Sequence, residues 1–312
     1  MRILVMGGTQ FIGKAIARDL IKQGHSVSIF TRGILPVDYT GFEKHFLGNR
    51  NDEMSLRQVA NEEFDAVVDA SAYNEHDILN LLTTLKTEGL KKYLFISSGA
   101  VYLPSWEPLT EMDATGKNDV WKEYGQNKLI AENILLQQYS CAGFPVAIVR
   151  PPYVYGQGNN LYREAYFFNS VMRGSTMPIP DSRAQVHFLF IEDLVNIISR
   201  MLDNDSINGQ IFNVALDEPV SWEYLMSAVS DALKVEAKYK KIKYRGFLES
   251  RQFFPYRDQT YLLDCSKLKT FGVDEPRIRL SEGLRKAFEW QKEFKPELRD
   301  EKMSKISEAL LL

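Results

Sequence analysis

Cysteine is scarce in this chain, with only Cys141 and Cys265 in 312 residues. The two stand far apart and outside any metal-ligand spacing, so two reduced thiols are expected and a disulfide framework or a zinc site is not. The four histidines are scattered. No apolar run approaches the ~20 residues that cross a bilayer. The opening Met1–Met6 run meets Gly7 and Gly8 too soon for a secretory signal. A strong charge of one sign is missing too. Lys and Arg total 38 against 41 Asp and Glu, and a net −3 provides no global pull toward nucleic acid or anionic membrane. The local exception runs from Lys234 to Arg245, through Lys238, Lys240, Lys241 and Lys243, and reads first as a solvated edge. What remains is ordinary globular composition, 45% hydrophobic and 25% charged, enough for one large domain or two modest ones. The expectation is a cytoplasmic protein with no membrane partner.

Short apolar runs alternate with helical spacing through the first half. Residues 3–6, 27–30, 46–47, 66–68, 93–96 and 146–149 read as strands, and the third is weak. Ile12, Ile16 and Leu20 recur at helical spacing before Gly24, and 78–85 and 121–139 read as further helices. This alternation predicts an α/β fold, a Rossmann-type doubly wound parallel sheet with helices on both faces. After Arg150 the pattern breaks at Pro151, Pro152, Gly156 and Gly158. Residues 161–174 read as a helix, and Pro178 and Pro180 end that excursion. A strand at 186–190, a helix at 192–202 and a strand at 211–214 follow, then helices from Ser221 to Leu233 and over 281–294. Tyr162, Tyr166, Phe167 and Phe168 fall at helical spacing, which favours core packing over a pocket lining. The expected division is a dinucleotide-binding domain of residues 1–157 and 184–216, interwoven with a smaller substrate domain of 158–183 and 217–312.

The first chemical motif is Gly7-Gly8-Thr9-Gln10-Phe11-Ile12-Gly13, between the first strand and the first helix. A dinucleotide loop needs that context: glycine for the turn, a close helix, and free amides at the helix start for a pyrophosphate. Gln10 stands where the middle glycine of the fingerprint belongs. Thr31 and Arg32 end the second strand, where NAD-binding chains usually carry a carboxylate for the ribose. The arginine suits a 2′-phosphate, so the cofactor is read as NAD(P), leaning to NADP.

The second motif is Tyr124-Gly-Gln-Asn-Lys128. Spacing of four puts phenol and ammonium on one helix face. A free phenol titrates near ~10, and a nearby lysine cation lowers that value. The tyrosine is then a base for a substrate hydroxyl while hydride leaves the same carbon. Ser98 ends the run Tyr93-Leu94-Phe95-Ile96-Ser97-Ser98, on the side where α/β folds hold ligands, and is placed to orient the substrate oxygen.

With these motifs the sequence resembles the extended short-chain dehydrogenase/reductases, the NAD-dependent epimerase/dehydratase family. The resemblance spans nearly the whole chain. It also rests on Ser97 to Tyr102, on Arg150-Pro151-Pro152-Tyr153-Val154-Tyr155-Gly156, on Phe190-Ile191-Glu192-Asp193-Leu194 and on Leu263 to Lys267 with Gly272. It implies that Ser98, Tyr124 and Lys128 form a catalytic triad. It further implies cofactor contacts from Ala70, Ser71, Ala72 and Ser97, from Asn49 and Arg50 near the adenine, and from Pro151, Pro152 and Tyr153 beside the nicotinamide. A homodimer through two helices, one holding Tyr124, is implied as well.

Departures narrow the chemistry. Val186 stands where sugar-nucleotide epimerases carry an arginine. Gly99 and Ala100 replace the acidic pair of 4,6-dehydratases, which disfavours dehydration. Arg257 is a candidate phosphate contact, with a structural ion pair to Asp258 or a neighbour as the alternative. The run Phe254 to Gln259, with Gly7 to Gly13 and Phe30 to Gly33, is similar to chloroplast stem-loop RNA-binding proteins and their bacterial relatives, some of which have lost or changed the triad. Three functions follow: an epimerase or reductase acting on a nucleotide sugar or related small molecule, an RNA-binding protein on a retained scaffold, and a cofactor-binding sensor. Retention of all three triad positions favours the enzyme.

Overall fold

The computed structural model describes residues 1–244 and 248–311. In chain order its strands are β1 (Arg2–Met6), β2 (Ser26–Thr31), β3 (Lys44–Leu47), β4 (Ala66–Asp69), β5 (Lys92–Ile96), β6 (Val146–Arg150), β7 (Tyr153–Tyr155), β8 (Met177–Pro180), β9 (Phe188–Phe190), β10 (Gln210–Asn213) and β11 (Tyr239–Ile242). Its helices are α1 (Phe11–Lys22), α2 (Glu53–Ala60), α3 (Glu75–Thr84), α4 (Lys122–Ala142), α5 (Glu164–Met172), α6 (Ile191–Leu202), α7 (Trp222–Leu233), α8 (Lys267–Thr270), α9 (Leu280–Phe294) and α10 (Glu301–Ala309).

Seven strands form one parallel sheet in the order β10-β6-β5-β4-β1-β2-β3. Every residue of β4, β5 and β6 is buried, because helices cover both faces, and such strands read as unbroken apolar runs. The chain leaves β1 toward β2 and β3, then returns to the other side of β1 for β4 to β6. That reversal opens a crevice beyond the carboxyl ends of β1 and β4, where α/β sheets bind ligands.

The second half departs from the expected plan. The strand expected over 186–190 is shorter and lies outside the main sheet, because β9 pairs with β7 in a separate parallel ribbon. Residues 177–180 do not merely end a helix: β8 pairs with β11. Pro178 and Pro180 are tolerated because the amides facing the partner come from alternate residues. Met177 N donates to Lys238 O at 2.9 Å and Asp181 N to Ile242 O at 3.0 Å, so each proline lacks only an unused donor. Tyr166, Phe167 and Phe168 are buried as expected. The packing behind them is aromatic, with Tyr256 stacked on Trp222 at 6.2 Å and on Phe167 at 6.2 Å. One apolar cluster runs from Ile3 through Phe167 to Met303, so both halves of the chain share a core. Among the described residues no helix is long and apolar enough to cross a membrane.

Candidate active site

The crevice holds two cavities that share Ala70 as a lining residue. The first, about 460 Å³, lies under the glycine loop and is lined by Gly7, Thr9, Gln10, Gly13, Thr31, Arg32, Asn49, Arg50 and Ser71, among others. Gly7 has φ +100°, which only glycine adopts without strain. A Cβ on Gly13 would stand 3.0 Å from Gly8 N, so the helix start and the loop are in close contact. Gln10 caps α1 with no side-chain hydrogen bond, which leaves the first amides of the helix open to an anion. This cradle fits a pyrophosphate. Gln10 in place of the middle glycine does not close it, since the residue lines the cavity without filling it.

Arg32 is exposed and forms no ion pair among the described residues. Arg50 differs from it. Its guanidinium is buried and gives Asp69 two parallel hydrogen bonds of 2.8 Å each. It also donates to Ser71 Oγ and to Asp77 O, both at 2.8 Å. Asp69 accepts from the Tyr93 hydroxyl at 2.7 Å and from the amides of Ser71 and Ala72. Burial raises the Asp69 carboxyl, Arg50 together with Tyr93 and the Ser71 amide more than offsets that, and the net shift is downward. Arg50 is therefore a pillar of the cavity floor with its charge already matched. Asp69 escaped the sequence reading; its one signal is an acid ending an otherwise apolar strand.

The second cavity, about 410 Å³, begins at the ends of β5 and β6. Phe11, Ile12, Ser97, Ser98, Tyr124, Lys128, Pro151, Pro152 and Tyr153 all line it. The structure thus brings the three triad candidates together. A glycine makes this possible, because a Cβ on Gly125 would lie 2.2 Å from Ala100 O. Only glycine lets α4 approach the Ser97–Val101 segment so closely. Ala72 lines neither cavity; its carbonyl instead accepts from Lys128 Nζ at 2.7 Å, as does Ile96 O at 2.7 Å. Burial brings the Lys128 ammonium down to about 8. Ser97 turns its hydroxyl inward to Glu132, which is ion-paired with Arg150 beneath the site.

Tyr124 is 38% exposed and lines the cavity. Burial of its hydroxyl raises the phenol, and Ser98 and Arg163 draw it partway back. The expected lowering by Lys128 is corrected here: its ammonium is directed to two carbonyls and is not among the groups acting on the phenol. Tyr261, Trp121, Arg163 and Arg251 complete the walls and were not foreseen. Tyr261 sits beside Ser98, Tyr124 and Tyr153 and packs on Trp121 at 4.8 Å. Arg257 lines the cavity with its guanidinium 5.4 Å above Trp121. It does not pair with Asp258, whose carboxylate is taken by Trp222 Nε1 and Tyr244 OH, both at 2.8 Å, and by Ser182.

A doubly wound sheet with a glycine cradle at its switch point, and a second cavity lined by Ser98 after β5 and by Tyr124 and Lys128 of α4, is the architecture of the extended short-chain dehydrogenase/reductases. Residues 3–215 match the model of the NAD dependent epimerase/dehydratase family, and the chain belongs to that enzyme family. It is 30% identical over 302 residues to the chloroplast stem-loop binding protein of 41 kDa b from Arabidopsis thaliana, covering 91% of this chain and 77% of the relative. Its fold is shared with the UDP-glucose 4-epimerase of Thermotoga maritima, solved with UDP-glucose, at TM-score 0.80 and 21% identity over 95% of this chain and 100% of that one. It is also shared with the UDP-glucose 4-epimerase of Thermus thermophilus, solved with NAD, at TM-score 0.76 and 21% identity over 94% and 99%.

Proposed function

We propose that the protein is an NAD(P)-dependent enzyme that oxidises and re-reduces a hydroxyl of a nucleotide sugar or related substrate through Ser98, Tyr124 and Lys128. The observation that carries this reading is the meeting of those three side chains in a cavity that shares the wall residue Ala70 with the glycine-loop cavity. Residues 1–157 and 184–216 hold the cofactor in this reading, and 158–183 and 217–312 cover the substrate. The open amides after Gln10 take the pyrophosphate. Thr31, Arg32 and Asn49 flank the adenosine ribose, and the unpaired Arg32 favours a 2′-phosphate and so NADP(H). Ser97, Pro151, Pro152 and Tyr153 border the nicotinamide. When bound, that ring supplies the hydride acceptor and donor.

The residues divide the proton work. Ser98 orients the substrate oxygen. Tyr124 takes the hydroxyl proton during oxidation and returns one during reduction. Its raised pKa keeps the phenol protonated at rest, which suits the acid role. Ser98 and Arg163 favour the phenolate when the base role is required. Lys128 has three donors, two of them spent on Ala72 and Ile96, so one N–H remains for the nicotinamide ribose. A homodimer through two helices, one of them α4, belongs to the same reading. The test is NMR of nucleotide sugars incubated with protein and cofactor. An epimer without net cofactor reduction is expected for an epimerase, and a ketone with stoichiometric reduction for a dehydrogenase. Cofactor-loaded protein that turns over none of them ends the epimerase form.

A second reading, RNA binding, is favoured by the likeness to the stem-loop binding protein. The basic run supports it weakly. Lys241 is paired with Glu223 and with Asp181, and Lys243 lies 3.9 Å from Asp181; Arg245 lies outside the described residues. Electrophoretic shifts across a salt series test this, because phosphate-driven binding weakens steeply with salt. No shift at low salt ends it.

A further inference from the structure

We infer that Tyr261 is a positioning residue for the reaction, its hydroxyl filling the second acceptor site of Ser98 so that the single Ser98 proton is left for the substrate oxygen. The inference rests on the reading of Ser98 and Tyr124 as the reacting pair.

Tyr261 reaches the second cavity from the C-terminal part of the chain, and its backbone is clamped on both sides. Tyr261 N donates to Gln185 O at 2.8 Å, His187 N donates to Tyr261 O at 2.9 Å, and Leu109 N donates to Leu262 O at 3.0 Å. The His187 imidazole accepts from Leu263 N at 3.2 Å. The ring is held as well, packed on Trp121 at 4.8 Å and edge-on to Tyr153 at 5.5 Å. Its hydroxyl lies where residue 99 has no side chain. A Cβ on Gly99 would stand 2.7 Å from the Tyr261 hydroxyl oxygen and 3.0 Å from its Cε2. Gly99 is not among the glycines with positive φ. The missing side chain therefore makes room for the phenol and is not needed for a turn.

A serine hydroxyl has one proton to give and two acceptor sites. On Ser98 one site is filled by Ala100 N at 3.2 Å. The Ser98 side chain is buried and is the hydrogen-bonding side chain that acts on both phenols, Tyr124 and Tyr261. The Tyr261 hydroxyl has one other acceptor, Pro151 O, and that contact is long at 3.4 Å. Pro151 O already accepts from Gly99 N at 3.0 Å. Turning from Pro151 to Ser98 therefore gives up only a weak bond. Burial holds the Tyr261 phenol well above its ordinary value, so the group keeps its proton and stays a donor. With Ala100 N and Tyr261 on its two acceptor sites, Ser98 directs its own proton to Tyr124 or to the substrate oxygen, and the chain of bonds strengthens that donation. Packing alone asks only for the ring, which phenylalanine supplies equally well.

Tyr261→Phe keeps the ring and removes the hydroxyl. Its midpoint in urea unfolding is expected within about 0.5 M of the parent. On whichever nucleotide sugar reacts in the NMR assay, kcat is expected to fall about tenfold, the worth of one hydrogen bond, with KM within about twofold. A readout that needs no turnover is the Cζ signal of Tyr124 in tyrosine-labelled protein at neutral pH, assigned by its loss in Tyr124→Phe. That signal is expected to shift in Tyr261→Phe. It is expected to stay in place when the same change is made in Ser98→Ala, because the effect passes through the Ser98 hydroxyl. No shift in Tyr261→Phe, or an equal shift with and without the Ser98 hydroxyl, overturns the inference. A larger loss of midpoint assigns the hydroxyl to stability and overturns it too. The expected shifts in a protein that turns over no nucleotide sugar leave the Ser98–Tyr261 contact standing while the redox reading falls. Turnover that Tyr261→Phe leaves unchanged does the opposite.

Discussion

The two ends of the crevice treat arginine in opposite ways. Under the glycine loop, Arg50 is buried against Asp69 and Asp77, with its hydrogen bonds shared among Asp69, Ser71 and the Asp77 carbonyl. Across Ala70, Arg163, Arg251 and Arg257 face one cavity with no carboxylate in its lining. The first arrangement has its charge matched within the chain and supports the floor on which a cofactor would rest. The second has no carboxylate in its lining. Proximity to a cavity therefore does not distinguish a binding arginine from a structural one, whereas the fate of the neighbouring carboxylates does.

The largest expected effect lies at the compensated end. Asp69→Ala would leave Arg50 buried with only the longer 3.6 Å contact to the Asp77 carboxylate, and would strip the Tyr93 hydroxyl and two amides of their acceptor. Breaking a buried pair from one side costs about 3–5 kcal/mol, read as a lower midpoint in urea unfolding. A loss below about 1 kcal/mol would break the comparison. Next comes Lys128, whose pKa of about 8 lies below its ordinary value because of burial. The unfolded chain holds that proton up to about 10.4, so stability rises with pH between the two values and the penalty is fully present below 8. Lys128→Met is expected to flatten that rise, and an unchanged slope would place the shift elsewhere. Smallest is the effect of Arg257→Gln on the ligand-free protein, expected within about 1 kcal/mol of the parent, because no internal pair is broken. A loss comparable to that of Asp69→Ala would mean that Arg257 is structural after all.

Legibility in the sequence follows burial and locality. Strands β4, β5 and β6 were readable because both faces are covered and the runs are unbroken. Helix α2 was not: it buries only Leu56 and Val59, one turn apart, too few for a period. Strand β7 has three residues behind two prolines, and its pairing with β9 joins segments that no local pattern connects. The same division holds in the site. Tyr124 and Lys128 are one helical turn apart and announce a shared face. Arg163, Arg251 and Tyr261 come from three separate segments that only tertiary packing unites. Arg257 was noticed, but its choice between Asp258 and a ligand depended on Trp222, Tyr244 and Ser182, which claim Asp258 from elsewhere. The direction of the Lys128 side chain was equally invisible, because the carbonyls it binds belong to the loop after β4 and the end of β5.

The central claim is that Tyr124 moves the proton in a cofactor-dependent oxidation, and one paired measurement on Tyr124→Phe tests it most directly. Cofactor affinity and turnover are measured on the same preparation. Affinity within about threefold of the parent, with turnover lower by about 100-fold or more, is the predicted result for loss of a positioned acid–base group. Turnover within about threefold of the parent would contradict it.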